Sequence, residues 1–295
     1  MGIYQNNLFI GDFKEPMIVH YNLQERETKR FLSAGRGPGE TLPPVALYAN
    51  TCEDNRLYRY SKQMCDLGYY LLDSLSSYVP LFQLSRENQN ILPYEKDQYL
   101  VAGSFLDGYR YRVLNKDGIV LHSFGDYPNF LDGEKRFPYN ARAMYHQVRF
   151  ANNYSKKKLI ASSSHVLDII DYSLGIAKET INRILLDTYD YDYILENFLR
   201  VRKKGNTARG VCDVSCDDKY IYILFDHAVE GVKKVEHRKE ILIFDWDGQP
   251  IKKLTLNVDI DLITNDPFGT HSIIGLALHS IGDDEYYQIV RIFFE

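Results

Sequence analysis

The chain has 295 residues, is 45% hydrophobic and carries a formal net charge of −5. This hydrophobic content is enough for a folded core and excludes a disordered chain. The acidic balance, with no long basic run, argues against a nucleic-acid partner. No apolar stretch approaches the roughly 20 residues that span a bilayer, and the first residues lack the charged and apolar regions of a signal peptide.

Short β runs open the chain. Residues 8–10 and 17–23 are predicted to be strands, and a glycine-rich segment follows at 35–40. That segment lacks the Gly-Lys-Ser/Thr ending of a phosphate-binding loop and the third glycine of a dinucleotide-binding fingerprint. Pro43 and Pro44 also disfavour the helix whose N-terminus would hold a phosphate. A turn between two strands is therefore the preferred interpretation.

The middle of the chain continues with apolar runs that predict further strands. These runs are 45–48, 57–60, 67–72, 98–103, 109–114 and 119–124. The last two flank Asp117-Gly118, whose glycine permits the positive φ of a tight hairpin turn. The same arrangement recurs where 241–244 and 251–258 flank Asp247-Gly248. The two turns are about 130 residues apart, which fits about three units of propeller-blade length.

The second half of the chain repeats the β pattern with one interruption. Predicted strands are 148–150, 158–162, 166–172, 177–181, 211–214, 220–225 and 286–294, the last expected to be buried on both faces. The interruption is 187–205, where apolar residues from Tyr191 to Leu199 follow helical spacing. Acidic residues lie at the start of the predicted helix and basic residues at its end, and Gly205 terminates it, as in a capped helix. The pattern predicts a short helix inserted between β units.

Six units, each too small to bury its own face, favour closure into a ring. We therefore predict an all-β fold, a six-bladed β-propeller with four-stranded antiparallel blades and one short inserted helix. The expected organisation is a single domain over residues 1–295, with the helical insertion at about 187–205. The alternatives are seven blades or two separate β-sandwiches.

Three stretches carry a resemblance to a known family. They are GRGPGE at 35–40, the run YLVAGSF to GDYP at 99–128, and YIYILFDH with EILIFDWDGQPIKKLTL between 220 and 256. The sequence resembles the TolB-like six-bladed propeller family found mainly in Bacteroides-type bacteria. The resemblance implies an exported, periplasmic or cell-surface lipoprotein, and it carries no activity over to particular residues. Because no export signal is visible in this chain, a cytoplasmic location is the alternative.

The sequence predicts neither a metal site nor a catalytic centre. Cys52, Cys65, Cys212 and Cys216 lack the paired close spacing of zinc ligands. They are interpreted as small buried hydrophobic residues, with a Cys52–Cys65 disulfide as the alternative for the first two. The eight histidines form no HExxH or HxxxH pair, so a metal would have to be held by different blades. No nucleophile elbow or ordered triad is visible, and no cofactor is expected.

The candidate ligand-binding residues are polar groups expected in loops at the mouth of the propeller channel. They are Arg36, Glu40, Arg110, Arg112, Arg142, His146, Arg209 and Asp213. Arginine and tyrosine groups there would bind an anionic or sugar-like ligand through bidentate hydrogen bonds and stacking. The alternative is that these residues are solvated loop charges or form ion pairs within a blade.

The functional hypothesis is a non-catalytic binding or scaffold propeller of the cell envelope, with an unknown protein or glycan as its partner. The alternative is a propeller hydrolase or lyase that acts on a sugar or lactone. A third hypothesis is an interaction module in which the inserted helix near 191–199 docks a partner.

Overall fold

The computed structural model describes residues 1–11, 17–31, 40, 42, 44–49, 55–175, 177–229, 239–269, 271–281 and 284–294. Arg36, Cys52 and the predicted turn at 35–39 lie outside these residues. The chain divides into two compact units, residues 1–103 with 111–123 and residues 104–110 with 124–295.

Three four-stranded antiparallel sheets fall in the first unit, and in each sheet the strands are neighbours in chain order. The first sheet is β1 (Gly2–Tyr4), β2 (Asn7–Gly11), β3 (Ile18–Asn22) and β4 (Thr28–Phe31). The second is β5 (Val45–Tyr48), β6 (Arg56–Ser61), β7 (Asp66–Leu71) and β8 (Ser74–Gln83). The third is β9 (Asn88–Glu95), β10 (Gln98–Gly103), β11 (Tyr111–Asn115) and β12 (Val120–Phe124).

An arginine is fully buried inside the second sheet. Arg59 Nη1 donates to the carbonyl oxygen of Glu40 at 2.9 Å, and its Nη2 donates to the Asp66 carboxylate and to the Tyr78 hydroxyl. The Tyr78 ring covers Gly68, where a Cβ would lie 2.3 Å from ring atoms. A glycine at this position therefore leaves room for the ring that packs over the buried cation.

The second unit contains two four-stranded sheets, a three-stranded sheet and a separate hairpin. The four-stranded sheets are β13 (Val148–Asn153), β14 (Lys158–Ser163), β15 (Val166–Asp171) and β16 (Thr180–Leu185), then β19 (Ala208–Cys216), β20 (Tyr220–Val229), β21 (Lys239–Asp245) and β22 (Pro250–Thr255). The three-stranded sheet is β23 (Leu262–Asn265), β24 (Ser272–Ile281) and β25 (Asp284–Phe293). The hairpin is β17 (Tyr191–Leu195) with β18 (Leu199–Lys203).

Apolar side chains of successive sheets in this unit pack face to face. Ile160, Leu167 and Ile169 of one sheet join Ile221 and Ile223 of the next in a single buried cluster. Burying such side chains stabilises the fold by roughly 25 cal/mol for each Å² of apolar surface removed from water. No single sheet could bury its own face, and this is the packing that the predicted repeat units require.

The two predicted Asp-Gly turns are confirmed. Gly118 has φ +77° and Gly248 has φ +83°, a conformation that residues with a Cβ rarely adopt. The predicted hairpin around Gly248 consists of β21 and β22, whose residues pair antiparallel. The six described sheets of three or four strands match the six predicted units.

The predicted helix at 187–205 is wrong, because this segment forms the hairpin of β17 and β18. Of the apolar residues with helical spacing, Tyr191 is buried, while Leu195 and Phe198 are 68% and 58% exposed. The helical spacing of this segment is therefore overridden by the tertiary contacts of Tyr191. The same residues are also compatible with two short strands. In the part of the chain described, helical structure consists of a 3-10 turn at Glu134–Arg136 and α1 (Tyr139–Tyr145).

The expectation that 286–294 is buried on both faces is also wrong. Tyr286 is 46% exposed and Phe293 is 73% exposed. In the described sheet β25 pairs with β24 along one edge, and its other edge has no described neighbour. Because the register of β25 is continuous, Tyr286 and Phe293 point to opposite faces of the sheet, so neither face of this strand is fully covered.

In the second unit the longest described connections meet at the same end of the strands. Val148, Ser163, Val166 and Leu185 are aligned across the first sheet of this unit. Segments 125–147 and 186–207 therefore both meet this end of the strands. We call this end of the sheets, with the loops that leave it, the long-loop edge. Segment 104–110 joins them, because Arg110 donates to the Ser163 hydroxyl at 2.7 Å. The opposite end of the strands carries connections such as 154–157 and 246–249.

Candidate functional site

A buried carboxylate organises the long-loop edge. Glu134 is fully buried and accepts hydrogen bonds from His146 Nε2 at 2.7 Å, from the Tyr189 hydroxyl at 2.7 Å and from the Tyr191 hydroxyl at 2.8 Å. Together with two adjoining rings these residues form what we call the Glu134 cluster. Its members are Glu134, Tyr145, His146, His165, Tyr189 and Tyr191.

Local structure brings these side chains together from four separate segments. Glu134 lies in the 3-10 turn, and His146 follows α1 with its backbone N–H donating to Arg142 O. Tyr145, at the end of α1, stacks on the Tyr191 ring with centroids 3.8 Å apart and an interplanar angle of 5°. Such pairs add roughly 0.5–1.5 kcal/mol beyond area burial. The stacking fixes the base of the β17–β18 hairpin against the helix.

His165 closes the cluster from the turn between β14 and β15. Its Nδ1 lies 3.1 Å from the Tyr145 hydroxyl. The adjacent Ser164 carbonyl accepts the Val211 N–H at 2.6 Å. This approach depends on Gly210, which has φ +85° and where a Cβ would lie 2.1 Å from the Ser164 carbonyl oxygen. The glycine allows the backbones of two sheets to meet beneath the cluster.

The electrostatics of the cluster hold Glu134 ionised and the histidines neutral. Burial alone would raise the pKa of Glu134, but hydrogen bonds from His146, Tyr189 and Tyr191 outweigh it and lower that pKa below its ordinary value. Burial lowers the pKa of His146 to about 4, even though Glu134 accepts its Nε2–H. Burial likewise lowers the pKa of His165 to about 3.

The tyrosines of the cluster remain protonated and act as donors. Burial raises the pKa of Tyr145, and burial together with the Glu134 charge raises the pKa of Tyr189 and Tyr191. Near neutral pH the cluster thus contains one carboxylate anion with neutral donors around it. This arrangement stabilises a fold, because a buried charge with several hydrogen bonds tolerates its burial.

The neutral histidines predict a loss of stability in mild acid. An unfolded histidine titrates near 6.5, whereas the folded pKa of His146 is about 4 and that of His165 about 3. Below pH 6.5 the unfolded chain therefore binds protons that the folded chain does not, so stability present above this pH is lost as pH falls toward 4. We expect the free energy of unfolding to fall by about 1.4 kcal/mol per pH unit for each histidine. Urea denaturation at a series of pH values measures this slope.

A glutamine at position 146 provides the control for the acid effect. In His146→Gln the side-chain Nε2 can still donate to Glu134, but the group no longer titrates. The slope of the unfolding free energy against pH should then decrease by about 1.4 kcal/mol per pH unit. An unchanged slope would show that His146 does not remain neutral in the folded protein.

A second buried network lies beside the cluster. Asp168 is fully buried in β15 and accepts Arg110 Nη1 at 2.9 Å, Arg183 Nε at 2.7 Å and Arg183 Nη2 at 3.0 Å. Arg183 also donates to the carboxylate and the backbone carbonyl of Asp126. One carboxylate therefore binds two cations and connects segments 104–110 and 124–127 to the sheet.

The structure brings three of the predicted site residues together. Arg110 and Arg142 both act electrostatically on His146 and help to lower its pKa. Their exposed fractions are 1%, 6% and 1% for Arg110, Arg142 and His146, so all three point into the protein. Arg142 Nη2 donates to the carbonyl oxygens of Tyr127 and Pro128 at 3.0 and 3.1 Å. Ligand binding by these residues remains a prediction.

The other predicted site residues occupy separate places. Arg209 is exposed and pairs with Asp226 at 3.5 Å. Asp213 lies in β19, where its carboxylate accepts the Ile263 N–H at 2.9 Å and so joins neighbouring sheets. Glu40 and Arg112 belong to the first unit, Arg112 within β11.

The site residues predicted from the sequence do not include Glu134, Asp168, Arg183, Tyr189 and Tyr191. A signal for the tyrosines was present, because Tyr189, Tyr191 and Tyr193 alternate with aspartates at a spacing of two. That spacing is typical of a strand with one buried face. Glu134 carried no signal, since its partners are more than fifty residues away along the chain, as with Tyr189 at a separation of 55.

In the part of the chain that the structure describes, no group of three or more histidine, cysteine, aspartate or glutamate side chains is arranged to hold a metal ion. Cys65, Cys212 and Cys216 are free thiols of intermediate exposure. Cys212 and Cys216 both lie in the strand β19, and burial raises the pKa of each thiol.

Exposed apolar side chains are concentrated in the long-loop segments. Large hydrophobic residues that are at least one-third exposed there are Leu106, Tyr109, Phe130, Tyr139, Met144, Ile194, Leu195 and Phe198. In the described connections at the opposite edge of the second unit, the corresponding residues are Leu174 and Phe268. Contiguous exposed apolar surface is typical of interaction sites.

The comparison with protein families decides what kind of chain this is. A family model described as TolB-like 6-blade propeller-like matches residues 3–266. The chain belongs to the TolB-like six-bladed propeller family. The six described sheets are its blades, so the predicted six-bladed all-β propeller is confirmed. No curated protein matches the sequence of this TolB-like propeller.

Solved structures share the fold of this TolB-like propeller at very low sequence identity. A putative exported protein from Bacteroides fragilis has 9% identity and a TM-score of 0.52, over 94% of this chain and 80% of its own. A member of the DUF4221 family from Bacteroides vulgatus has 12% identity and a TM-score of 0.53, and the match covers 92% of this chain and 83% of that protein. A luciferin-regenerating enzyme has 8% identity and a TM-score of 0.52, over 92% and 80%. In the described structure, no helix is long and apolar enough to cross a lipid bilayer.

Proposed function

We propose that this TolB-like propeller is a non-catalytic binding or scaffold protein of the cell envelope that engages a glycan or protein at its long-loop edge. The observation that carries the proposal is the concentration of exposed aromatic and apolar side chains in 104–110, 125–147 and 186–207. Binding residues commonly lie on loops that a rigid scaffold positions. The Glu134 cluster and the Asp168 network supply that rigidity.

Two tyrosines form the centre of the proposed binding surface. Tyr109 is 46% exposed and Tyr139 is 44% exposed. Gly108, with φ +86°, lies against the Tyr139 ring, where a Cβ would be 3.0 Å from ring atoms. Segment 104–110 therefore packs on the first residue of α1, and Tyr109 directly follows the glycine in contact with the Tyr139 ring. Tyrosine suits such a surface, since its ring offers apolar area and its hydroxyl a hydrogen bond.

Binding is favoured over hydrolysis or lysis of a sugar or lactone by the state of the titratable groups. An acid or base must reach the proton it transfers. One candidate pair is Glu134 with His146, but both are buried and the carboxylate already has three side-chain donors. A second pair is Glu240 with His227 at 2.8 Å, where the carboxylate also binds Lys253 at 3.1 Å. Family membership and the exported protein from Bacteroides fragilis with the same fold support the envelope location.

A glycan array followed by thermal-shift titration tests the proposal. We expect at least one glycan or peptide to raise the melting temperature, since a ligand at about 100 times its Kd adds roughly 2.7 kcal/mol of stability. Tyr109→Ala and Tyr139→Ala should each weaken that ligand by about tenfold or more, as expected for aromatic residues central to an interface.

Leu174→Ala provides the matched control, because this exposed leucine lies at the opposite edge of the second unit. It should leave the ligand affinity unchanged. Equal affinities of the native chain and the two tyrosine variants would contradict binding at the long-loop edge. Turnover of the bound sugar or lactone would instead establish the enzymatic alternative.

A further inference from the structure

The β17–β18 hairpin presents two different faces. Cross-strand pairing places Tyr193 opposite Val201 on one face, and Ile194 opposite Arg200 on the other. The first face packs against the rest of the unit, where Phe137 contacts the rings of Tyr191 and Tyr193. The second face is directed away from that packing. The hairpin pairs with no other strand of the described sheets.

The tip of the hairpin is apolar and exposed. Residues 194–198 are all exposed, and three of them are large hydrophobic side chains. Ile194 is 39% exposed, Leu195 68% and Phe198 58%. An exposed turn with this composition is suited to enter an apolar phase.

Two cationic side chains lie beside this apolar tip, on one strand of the hairpin. Arg200 and Arg202 are both exposed and alternate along β18 on the outward face. The Arg200 guanidinium lies 4.2 Å from the centroid of the Phe198 ring. The hairpin at 191–203 contains three cationic and two acidic residues, and the adjacent Lys204 pairs with Asp192 at 3.3 Å, although the whole chain has a net charge of −5. The hairpin is therefore locally basic on an acidic protein.

We propose that this hairpin docks on a lipid bilayer with anionic headgroups, with Leu195 and Phe198 inserted at the boundary between headgroups and acyl chains. Apolar side chains with adjacent Lys or Arg groups are the combination that binds such interfaces. The arginines provide charge complementarity to the lipid, and each cation near an anionic membrane contributes about 1 kcal/mol, which is roughly fivefold in affinity. This docking is separate from ligand binding by Tyr109 and Tyr139.

Vesicle flotation with the full chain tests the inference. We expect binding to vesicles of phosphatidylcholine mixed equally with phosphatidylglycerol, little binding to phosphatidylcholine alone, and weakening by added salt. The double variant Leu195→Ser with Phe198→Ser should lose at least about tenfold in affinity for the mixed vesicles. Arg200→Gln with Arg202→Gln should lose roughly fivefold for each arginine.

Leu174→Ser is the matched control, because Leu174 is 70% exposed against 68% for Leu195 but lies at the opposite edge. It should bind the mixed vesicles as the native chain does, and so should Tyr109→Ala. Phe198→Trp adds a direct readout, since insertion should shift the fluorescence of the introduced indole to shorter wavelength over the background of Trp246. No binding of the native chain to mixed vesicles, or equal binding by the tip variant, would overturn the inference. An introduced indole whose emission stays that of a water-exposed ring in the bound protein would overturn it as well.

Discussion

Asp168→Asn is expected to lower the free energy of unfolding by roughly 3–5 kcal/mol. The carboxylate is fully buried and binds Arg110, which is 1% exposed, together with Arg183. Asparagine keeps the shape but removes the negative charge, and its amide N–H₂ would face guanidinium donors. The substitution would leave a buried cation without its counter-ion, and this is the costly way to break such a pair. Urea denaturation measures the effect.

Asp171→Asn is the matched control in the same strand. Asp171 pairs with Lys158 at 3.9 Å, and the two side chains are 33% and 25% exposed. An exposed pair of this kind contributes about 0–1 kcal/mol. The two losses of unfolding free energy must therefore be compared with each other. Equal losses for Asp168→Asn and Asp171→Asn would mean that the buried network does not hold segment 104–110 to the sheet.

A second substitution separates the cost of the uncompensated Arg110 charge from the cost of lost side-chain packing. Arg110→Met removes the buried guanidinium while keeping an apolar side chain of similar length. Combined with Asp168→Asn it should recover part of the loss, because the uncompensated cation is gone. Strict additivity of the two single effects would argue against electrostatic coupling between Arg110 and Asp168.

The strands could be predicted because their signals are local. The turn at Asp247-Gly248 and the apolar residues around it lie within twenty positions of each other, and the pairing of β21 with β22 confirms the predicted hairpin. Strands β8 and β9 escaped prediction since Pro80 and Pro93 interrupt their apolar patterns. A single proline weakens a local signal, although the surrounding sheet still accommodates it.

The hairpin at 191–203 shows where local signals fail. Its apolar spacing satisfies a helix, and its charges complement a helix dipole. The strand conformation depends on the hydrogen bond of Tyr191 to Glu134 and on its stacking with Tyr145. Both contacts join residues far apart in sequence, so no window of the sequence could show them.

The candidate site was predictable in composition but not in orientation. Arginine and histidine at 110, 142 and 146 do lie together, yet their side chains are buried. A charged residue in a predicted loop is normally expected at the surface. Burial of these residues requires carboxylate and carbonyl partners, such as Asp168 for Arg110 and Tyr127 O for Arg142. Those partners are set by the fold and not by the neighbouring sequence.

Glu134→Ala is expected to destabilise the protein by on the order of 4 kcal/mol. The substitution leaves the Nε2–H of His146 and the hydroxyls of Tyr189 and Tyr191 without their shared acceptor. Each buried donor left unpaired costs about 1–3 kcal/mol. Local opening should accompany the loss, because the hairpin is attached to the turn through Tyr191. Urea denaturation and amide hydrogen exchange at 191–203 measure the two effects.

Glu196→Ala controls for the loss of a glutamate, since Glu196 is exposed at the hairpin tip. It should change stability by no more than about 0.5 kcal/mol. Tyr189→Phe alone should cost about 1 kcal/mol, because it removes one donor while the carboxylate keeps the others. In the Glu134→Ala background the same change should be neutral or stabilising, since it removes an orphaned hydroxyl. If Tyr189→Phe costs the same with and without Glu134, then Glu134 is not the acceptor that holds the cluster, and the long-loop edge must owe its rigidity to packing alone.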